Sequence, residues 1–260
     1  MIDIIKAKYA FIKFLKLYKE SQNEDGFELK VIHTYHVAEN SKELAKKLKL
    51  NDEDIKLAEL IGLLHDIGRF EELKVLNKFD GTKFEHAEYG VKMLFEDGII
   101  KDFIEDEEYY TIIRKAIYNH NKLKIEDNLD ERTLLHSKII RDSDKLDNFR
   151  IKKEYDPDKL FIKIVNSKEE FENSVISDDV MKSIRNLKCI KLNDRKEPLD
   201  YYICILGFIL DLYFKESLDI VKEKDYINGL INRFDYKLPE TKIKMEEIRQ
   251  ILTNYINSKS

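Results

Sequence analysis

Turn-forming residues are so scarce in this chain that a sheet-rich fold is hard to build from it. Gly 8 and Pro 3 across 260 residues leave few places for hairpins or repeated tight turns. What lies between them has a helical period. From Ile4 to Tyr18 the residues Ile4, Ile5, Ala7, Phe11, Phe14, Leu15 and Tyr18 recur mostly three or four apart with lysines between them, the pattern of an amphipathic helix. A second helix is predicted over about Glu28–Leu48. A third follows from an Asn51 N-cap through Ile55, Ala58, Leu60, Ile61 and Leu64, with Asp52, Glu53 and Asp54 in the first turn, where the helix dipole favours acids. Gly68 is placed at the C′ position that ends this helix. Further helices are predicted at His86–Phe95, Glu105–Asn119, Glu131–Ile151, Pro157–Val165, Lys168–Arg185, Pro198–Val221 and Glu240–Ile256, with a short helix and an Asp80-Gly81 loop between Phe70 and Glu85. Nothing in the sequence reads as a linker, low-complexity tract or repeat. The expectation is one all-α domain over 1–260, with a core at about 28–151 and additional C-terminal helices at about 152–260 packed on it.

Composition narrows the function classes. Lys+Arg 46 against Asp+Glu 51 gives a formal charge of -5 spread along the chain, so no basic footprint points to nucleic acid as a partner. Cys189 and Cys204 are too few for a disulfide framework and sit in no CxxC pattern, which places the protein in a reducing cytoplasm. The longest apolar run, Tyr201 to Phe214, is interrupted by Asp211 and too short to span a bilayer. Asp3, Lys6 and Lys8 inside the first apolar run are wrong for a signal peptide. No membrane is expected.

The chemistry concentrates at Leu63-Leu64-His65-Asp66-Ile67-Gly68-Arg69-Phe70, where an imidazole and a carboxylate close a strongly apolar helix. Such a pair at the dry end of a helix costs free energy unless something binds it. A buried His bonded to its neighbour would suffice for the dipeptide alone. However, His33, His65, His86 and His120 each fall on the inward face or at the terminus of a different predicted helix. Three acids, Asp142, Asp144 and Asp147, also crowd a helix whose other face is apolar, a costly arrangement without cations. Four imidazoles with Asp66 and Asp144 could supply a mononuclear site or, with a bridging carboxylate, a binuclear one. This donor set suits a divalent transition metal (Mn, Fe, Co, Ni or Zn), with Mg also compatible, as one or two ions.

The ordered elements His33-x-x-His36-Val37, His65-Asp66 and Asp144-Lys145-Leu146 resemble those of the HD superfamily of metal-dependent phosphohydrolases, whose fold is an all-α bundle. The text from His65 to Phe70, followed by Phe84-Glu85-His86-Ala87-Glu88-Tyr89-Gly90, is similar to a bacterial branch of small HD proteins. The resemblance covers about His33 to Asp147 and extends more loosely to Gly207, Asp211, Tyr213 and Phe214. It implies that His33, His65, Asp66 and Asp144 ligate one metal, with Asp66 free to bridge. It also implies that His86 and His120 either hold a second metal or line a substrate pocket. Arg69 and Lys145 either grip substrate phosphate or pair with nearby acids. His36 stands where the family often has Arg, and is expected to pack or to support a ligand. His136 is expected to be an ordinary surface or core histidine, and Asp142 and Asp147 to pair with Arg141 or Arg150. The adjacent Glu-Asp pair of the superfamily's stringent-response nucleotide hydrolases has no counterpart in a matching place. The implied activity, with Asp66, Arg69 and Lys145 as its catalytic residues, is hydrolysis of a phosphate ester of a small molecule, a nucleotide, with a monoesterase favoured. The alternatives are a cyclic (di)nucleotide phosphodiesterase with a binuclear site and a non-catalytic nucleotide-sensing module. The sequence leaves the substrate and oligomeric state open, a homo-oligomer included.

Overall fold

The computed structural model describes residues 2–19, 23–79, 84–157 and 167–259. Among them every regular element is helical, as the scarcity of Gly and Pro requires. The chain divides into two compact units, Met1–Asp144 and Lys145–Ser260.

In the first unit, α1 (Ile4–Lys16) begins where the Asp3 carboxylate accepts from Lys6 N, and α2 (Glu24–Lys47) where the Asn23 side chain accepts from Gly26 N. α3 (Asp52–Leu64) is capped by Asn51, whose side chain accepts from Asp54 N at 2.9 Å. Then come α4 (Ile67–Leu76), α5 (His86–Phe95), the short α6 (Ile100–Phe103), a 3-10 turn at Glu107–Tyr109, α7 (Tyr110–Asn119) and α8 (Glu131–Glu154). The division between the units falls within α8. α3 is the axis of this unit. Leu57, Leu60, Ile61, Leu63 and Leu64 are all buried, so its apolar side chains supply the core on nearly every face. Fully burying a Leu or Ile contributes about 1.5–3 kcal/mol, which makes α3 costly to displace.

Two glycines set how closely its neighbours approach. A Cβ on Gly62 would lie 2.7 Å from Ala38 Cα in α2, and a Cβ on Gly68 would lie 2.2 Å from His86 O in α5. Gly68 therefore does not end α3. It sits in the first turn of α4, where the missing side chain lets α4 and α5 touch backbone to backbone. α3 instead ends at Leu64, and His65-Asp66 forms the junction to α4, with Asp66 out of helical conformation at φ -109, ψ 19. The helix expected after Phe70 begins earlier, at Ile67, and the expected Asp80-Gly81 loop lies outside the described residues.

A buried polar network braces this unit. Asp54 Oδ1 receives His136 Nε2 at 2.9 Å and Arg132 Nε at 2.7 Å. His136 is thus a core histidine. Its bond, then that of Arg132, holds the Asp54 carboxyl below the usual carboxylate range. A group with a depressed native pKa stabilises the fold above its ordinary pKa, and that contribution disappears as pH falls through the native value. Asp54→Asn is expected to cost about 2 kcal/mol at pH 7, with the partly exposed Arg132 supplying the smaller share. It is also expected to flatten the acid limb of stability below about pH 4. Urea unfolding of both proteins across pH 3–7 measures this.

In the second unit the expected Lys168–Arg185 helix is two, Lys168–Glu172 and Asp178–Arg185. Asp200 causes the break: its carboxylate accepts from Ser177 N at 3.0 Å and Ser177 Oγ at 2.5 Å, pinning extended backbone between them. The expected Pro198–Val221 helix is likewise divided into Pro198–Gly207, a 3-10 turn at Phe208–Asp211, and Lys215–Glu223. Tyr226–Ile231 and Pro239–Lys259 complete the unit around Phe171, Tyr202 and Phe234, with Tyr202 and Phe234 meeting edge-on at 4.8 Å. The helix expected at Pro157–Val165 lies almost wholly outside the described residues. Cys189 and Cys204 are free thiols. Among the described residues no helix is long and apolar enough to cross a membrane.

Candidate metal centre

The close approaches at Gly62 and Gly68 have a chemical result, because they draw α2 and α5 towards the His65-Asp66 junction from two sides. α2 contributes His33, α5 contributes His86 at its first residue, α7 contributes His120 just beyond its last, and α8 contributes Asp144. His33, His65, Asp66, His86 and His120 are all buried, and Asp144 is partly so.

Asp66 divides the histidines between its two oxygens. Oδ2 lies 3.2 Å from His65 Nε2 and 3.4 Å from His33 Nε2, while Oδ1 lies 3.3 Å from His86 Nε2 and 3.5 Å from His120 Nε2. Asp144 Oδ1 is 3.2 Å from His33 Nε2 on the first side. The sequence-derived ligand set His33, His65, Asp66 and Asp144 and the pair His86 and His120 thus meet around one carboxylate.

The backbone fixes which nitrogen faces inward. His65 Nδ1 donates to Gly62 O at 2.7 Å, and His120 Nδ1 donates to Ile117 O at 2.6 Å. In a neutral ring this leaves the Nε2 lone pair aimed at the centre, the arrangement in which an imidazole binds a cation. Neutrality follows from burial, which pushes His65 below its ordinary value and His86 down to about 2. With His120 Nε2 accepting, His86 Nε2–H donates to it at 3.1 Å. Burial alone would raise Asp66, but the adjacent Lys30 ammonium holds it well below the carboxylate range. Asp144 is held low against the same burial by His33.

This centre fits a divalent cation. His65 Nε2 and Asp66 Oδ1 are buried with no hydrogen bond although other polar atoms lie within 3.5 Å, so these two atoms face the centre with lone pairs that a cation would satisfy. Two groups have one ligand atom each within 4.8 Å of one another: His33, His65 and Asp144, and His65, Asp66 and His120. Ligands about 2.1 Å from a common ion are themselves about 3–3.5 Å apart, the separation of His33 and His65 Nε2 from Asp66 Oδ2 and of His33 Nε2 from Asp144 Oδ1.

The remaining residues are placed less centrally. Arg69 Nε is 3.8 Å from Asp66 Oδ1, but its Nη1 is paired with buried Glu72 at 2.6 Å. Lys145 belongs to the second unit, where Nζ pairs with Asp211 at 2.8 Å. Asp147 pairs with Arg150 at 2.5 Å. His36 is exposed, so it neither packs in the core nor supports a ligand. Two contributors escaped the sequence reading. Lys30 Nζ lies 2.7 Å from Asp66 Oδ2. Arg141 donates to the carbonyls of Asn119 and Lys122, fixing the end of α7 that presents His120. Lys30 stands one turn before His33 on the same helix, a spacing that could have exposed it. Arg141 acts on backbone carbonyls distant in sequence, which leaves no local pattern.

Among the described residues every regular element is helical, and the buried histidines and aspartates gathered at the helix ends form a donor set that could hold a metal ion. Residues 31–148 match the family model described as HD domain, so this stretch of the chain, which carries all six residues of the centre, is similar to HD domains. The match ends at residue 148, so the looser likeness around Gly207 and Asp211 lies beyond it. No curated protein and no solved structure gives a significant match to the chain.

Proposed function

We propose that this protein hydrolyses a phosphate monoester of a small molecule, a nucleotide foremost, with His33, His65, Asp66 and Asp144 holding one divalent cation. The observation that carries this reading is the division of four buried histidines between the two oxygens of Asp66. A divalent ion there supplies Lewis acidity towards a phosphoryl oxygen and makes water acidic enough to react near neutral pH. The chain's own residues do the rest. Asp144 Oδ1 lies 3.2 Å from His33 Nε2, a separation at which the two would share one ion. The buried walls of α3 and α4 exclude bulk water, which strengthens each charge interaction with the substrate. Neutral His86, its Nε2 3.1 Å from His120, would relay a proton to the departing alkoxide, giving up the one on Nε2 as Nδ1 takes one from a solvent molecule. Arg69 sits beside Asp66 as a second cationic group for the phosphate.

The close pair His86 and His120 favours a second reading, a cyclic nucleotide phosphodiesterase in which they hold a second ion with Asp66 Oδ1. Release of phosphate from nucleoside monophosphates, compared with turnover of cyclic mono- and dinucleotides under Mn, Co, Ni and Mg, separates the readings. Monophosphates alone are expected to react. Failure of all substrates with fully loaded protein would sink both hydrolytic readings and leave a sensing module. His86→Ala gives an independent check. As a proton donor its loss lowers kcat by about 10²–10⁴-fold and leaves the metal content unchanged. As a ligand of a second ion its loss removes one ion per chain, which elemental analysis reads directly.

A further inference from the structure

We propose that Lys30 has two seats: it neutralises Asp66 when the centre holds no ion, and it grips the substrate's phosphate when the ion is present. This inference rests on the hydrolase reading above and adds a positioning residue to it. The Lys30 side chain is only 16% exposed, and Nζ is 2.7 Å from Asp66 Oδ2. That oxygen is the one on which His33 Nε2 and His65 Nε2 also converge, at 3.4 and 3.2 Å. The ammonium therefore sits against the ligand oxygen that a cation bound by His33 and His65 would use.

A primary ammonium and a divalent cation cannot share that oxygen without strong repulsion in a buried site. Asp66 is a buried carboxylate, and a buried charge needs a cationic partner with or without metal. Lysine suits such a double duty because its charge is compact and its four-carbon stem is freely rotatable. Arg69, the other nearby cation, is tied to Glu72 at 2.6 Å, and Lys145 is tied to Asp211 at 2.8 Å. Displaced from Asp66 but anchored on α2 one turn from His33, the Lys30 ammonium remains beside the ion, where a phosphate bound to that ion needs a counter-charge.

The consequence is a pair of effects with opposite signs. Lys30→Met removes a competitor for the ion and a partner for the phosphate. Calorimetric titration with Mn2+ alone is expected to show binding tightened about tenfold or more, since a like charge beside the site is gone. Titration of the Mn-loaded protein with inorganic phosphate is expected to show binding weakened about tenfold or more. Lys30→Arg, which keeps the charge, is expected to stay near wild type in both titrations. Lys42→Met removes one charge from the same helix beside the exposed Glu39 and should shift neither. A merely structural lysine would weaken both titrations when replaced, or leave both alone, and either result overturns the proposal. So does an equal gain in Mn2+ affinity from Lys42→Met. If wild-type protein binds no Mn2+ at all, the hydrolase reading itself fails; if wild type binds and Lys30→Met does not tighten it, only this inference fails.

Discussion

Asp66→Ala is expected to lower phosphate release by about 10³-fold or more and to strip the bound metal, while the protein stays folded. The size follows from what one side chain does here. Removing a carboxylate that would ligate the proposed ion forfeits several kcal/mol of charge stabilisation, and each 1.36 kcal/mol is tenfold in rate. The direction of the stability effect is less obvious. Asp66 is buried beside Lys30, and deleting it leaves that ammonium without its partner, a penalty of about 3–5 kcal/mol for a buried pair. It also removes a carboxylate whose own burial is costly, and Lys30 keeps 16% side-chain exposure through which it can reach water. Asp66→Ala with Lys30→Met should therefore be more stable than Asp66→Ala alone and equally inactive. Circular dichroism during thermal unfolding, run beside a phosphate-release assay, checks both parts. Wild-type rates in the single variant would remove Asp66 from the chemistry.

Gly68→Ala is the second large effect, and it acts through packing. On an ordinary helix this change stabilises by about 1 kcal/mol, because alanine is the better helix former. Here the added Cβ would meet His86 O at 2.2 Å and Gly90 N at 2.8 Å, both backbone atoms that cannot swing aside. α4 and α5 must separate. Overpacking of this kind costs about 1–3 kcal/mol, and a backbone clash on both atoms belongs at the upper end. The melting temperature is expected to fall by roughly 5–10 °C. Because α5 opens with His86 and α4 follows Asp66 directly, separating them also moves those groups apart. Metal affinity should fall along with stability. An unchanged or higher melting temperature would show that α4 and α5 do not meet as closely as described.

How far the sequence exposed this arrangement can be followed residue by residue. The helices carrying His33, His65, His86 and His120 were readable because burial imposes its period on α2, α3, α5 and α7, and histidines standing on that period must face inward. Gly68 was misread. A glycine after an apolar helix signals a C-cap by local rules, and only the position of α5 reveals that it serves a tertiary contact. Lys168–Arg185 was read as one helix because its periodicity is continuous, whereas the break depends on Asp200, a residue distant in sequence. Lys145 and Arg69 looked alike as phosphate-binding cations. Their acidic partners, Asp211 and Glu72, decide what each is free to do, and the first of these lies far along the chain. Lys30 drew no notice because a lysine on an amphipathic helix ordinarily faces water.

The central claim is that Asp66 organises the histidines into a cation site, and metal content per chain tests it most directly. Purified protein exchanged into Mn2+ and freed of excess should retain at least one ion per chain by elemental analysis. Asp66→Ala, still folded by circular dichroism, should retain none. Wild-type protein without bound metal, or a folded Asp66→Ala that keeps its full complement, would contradict the account.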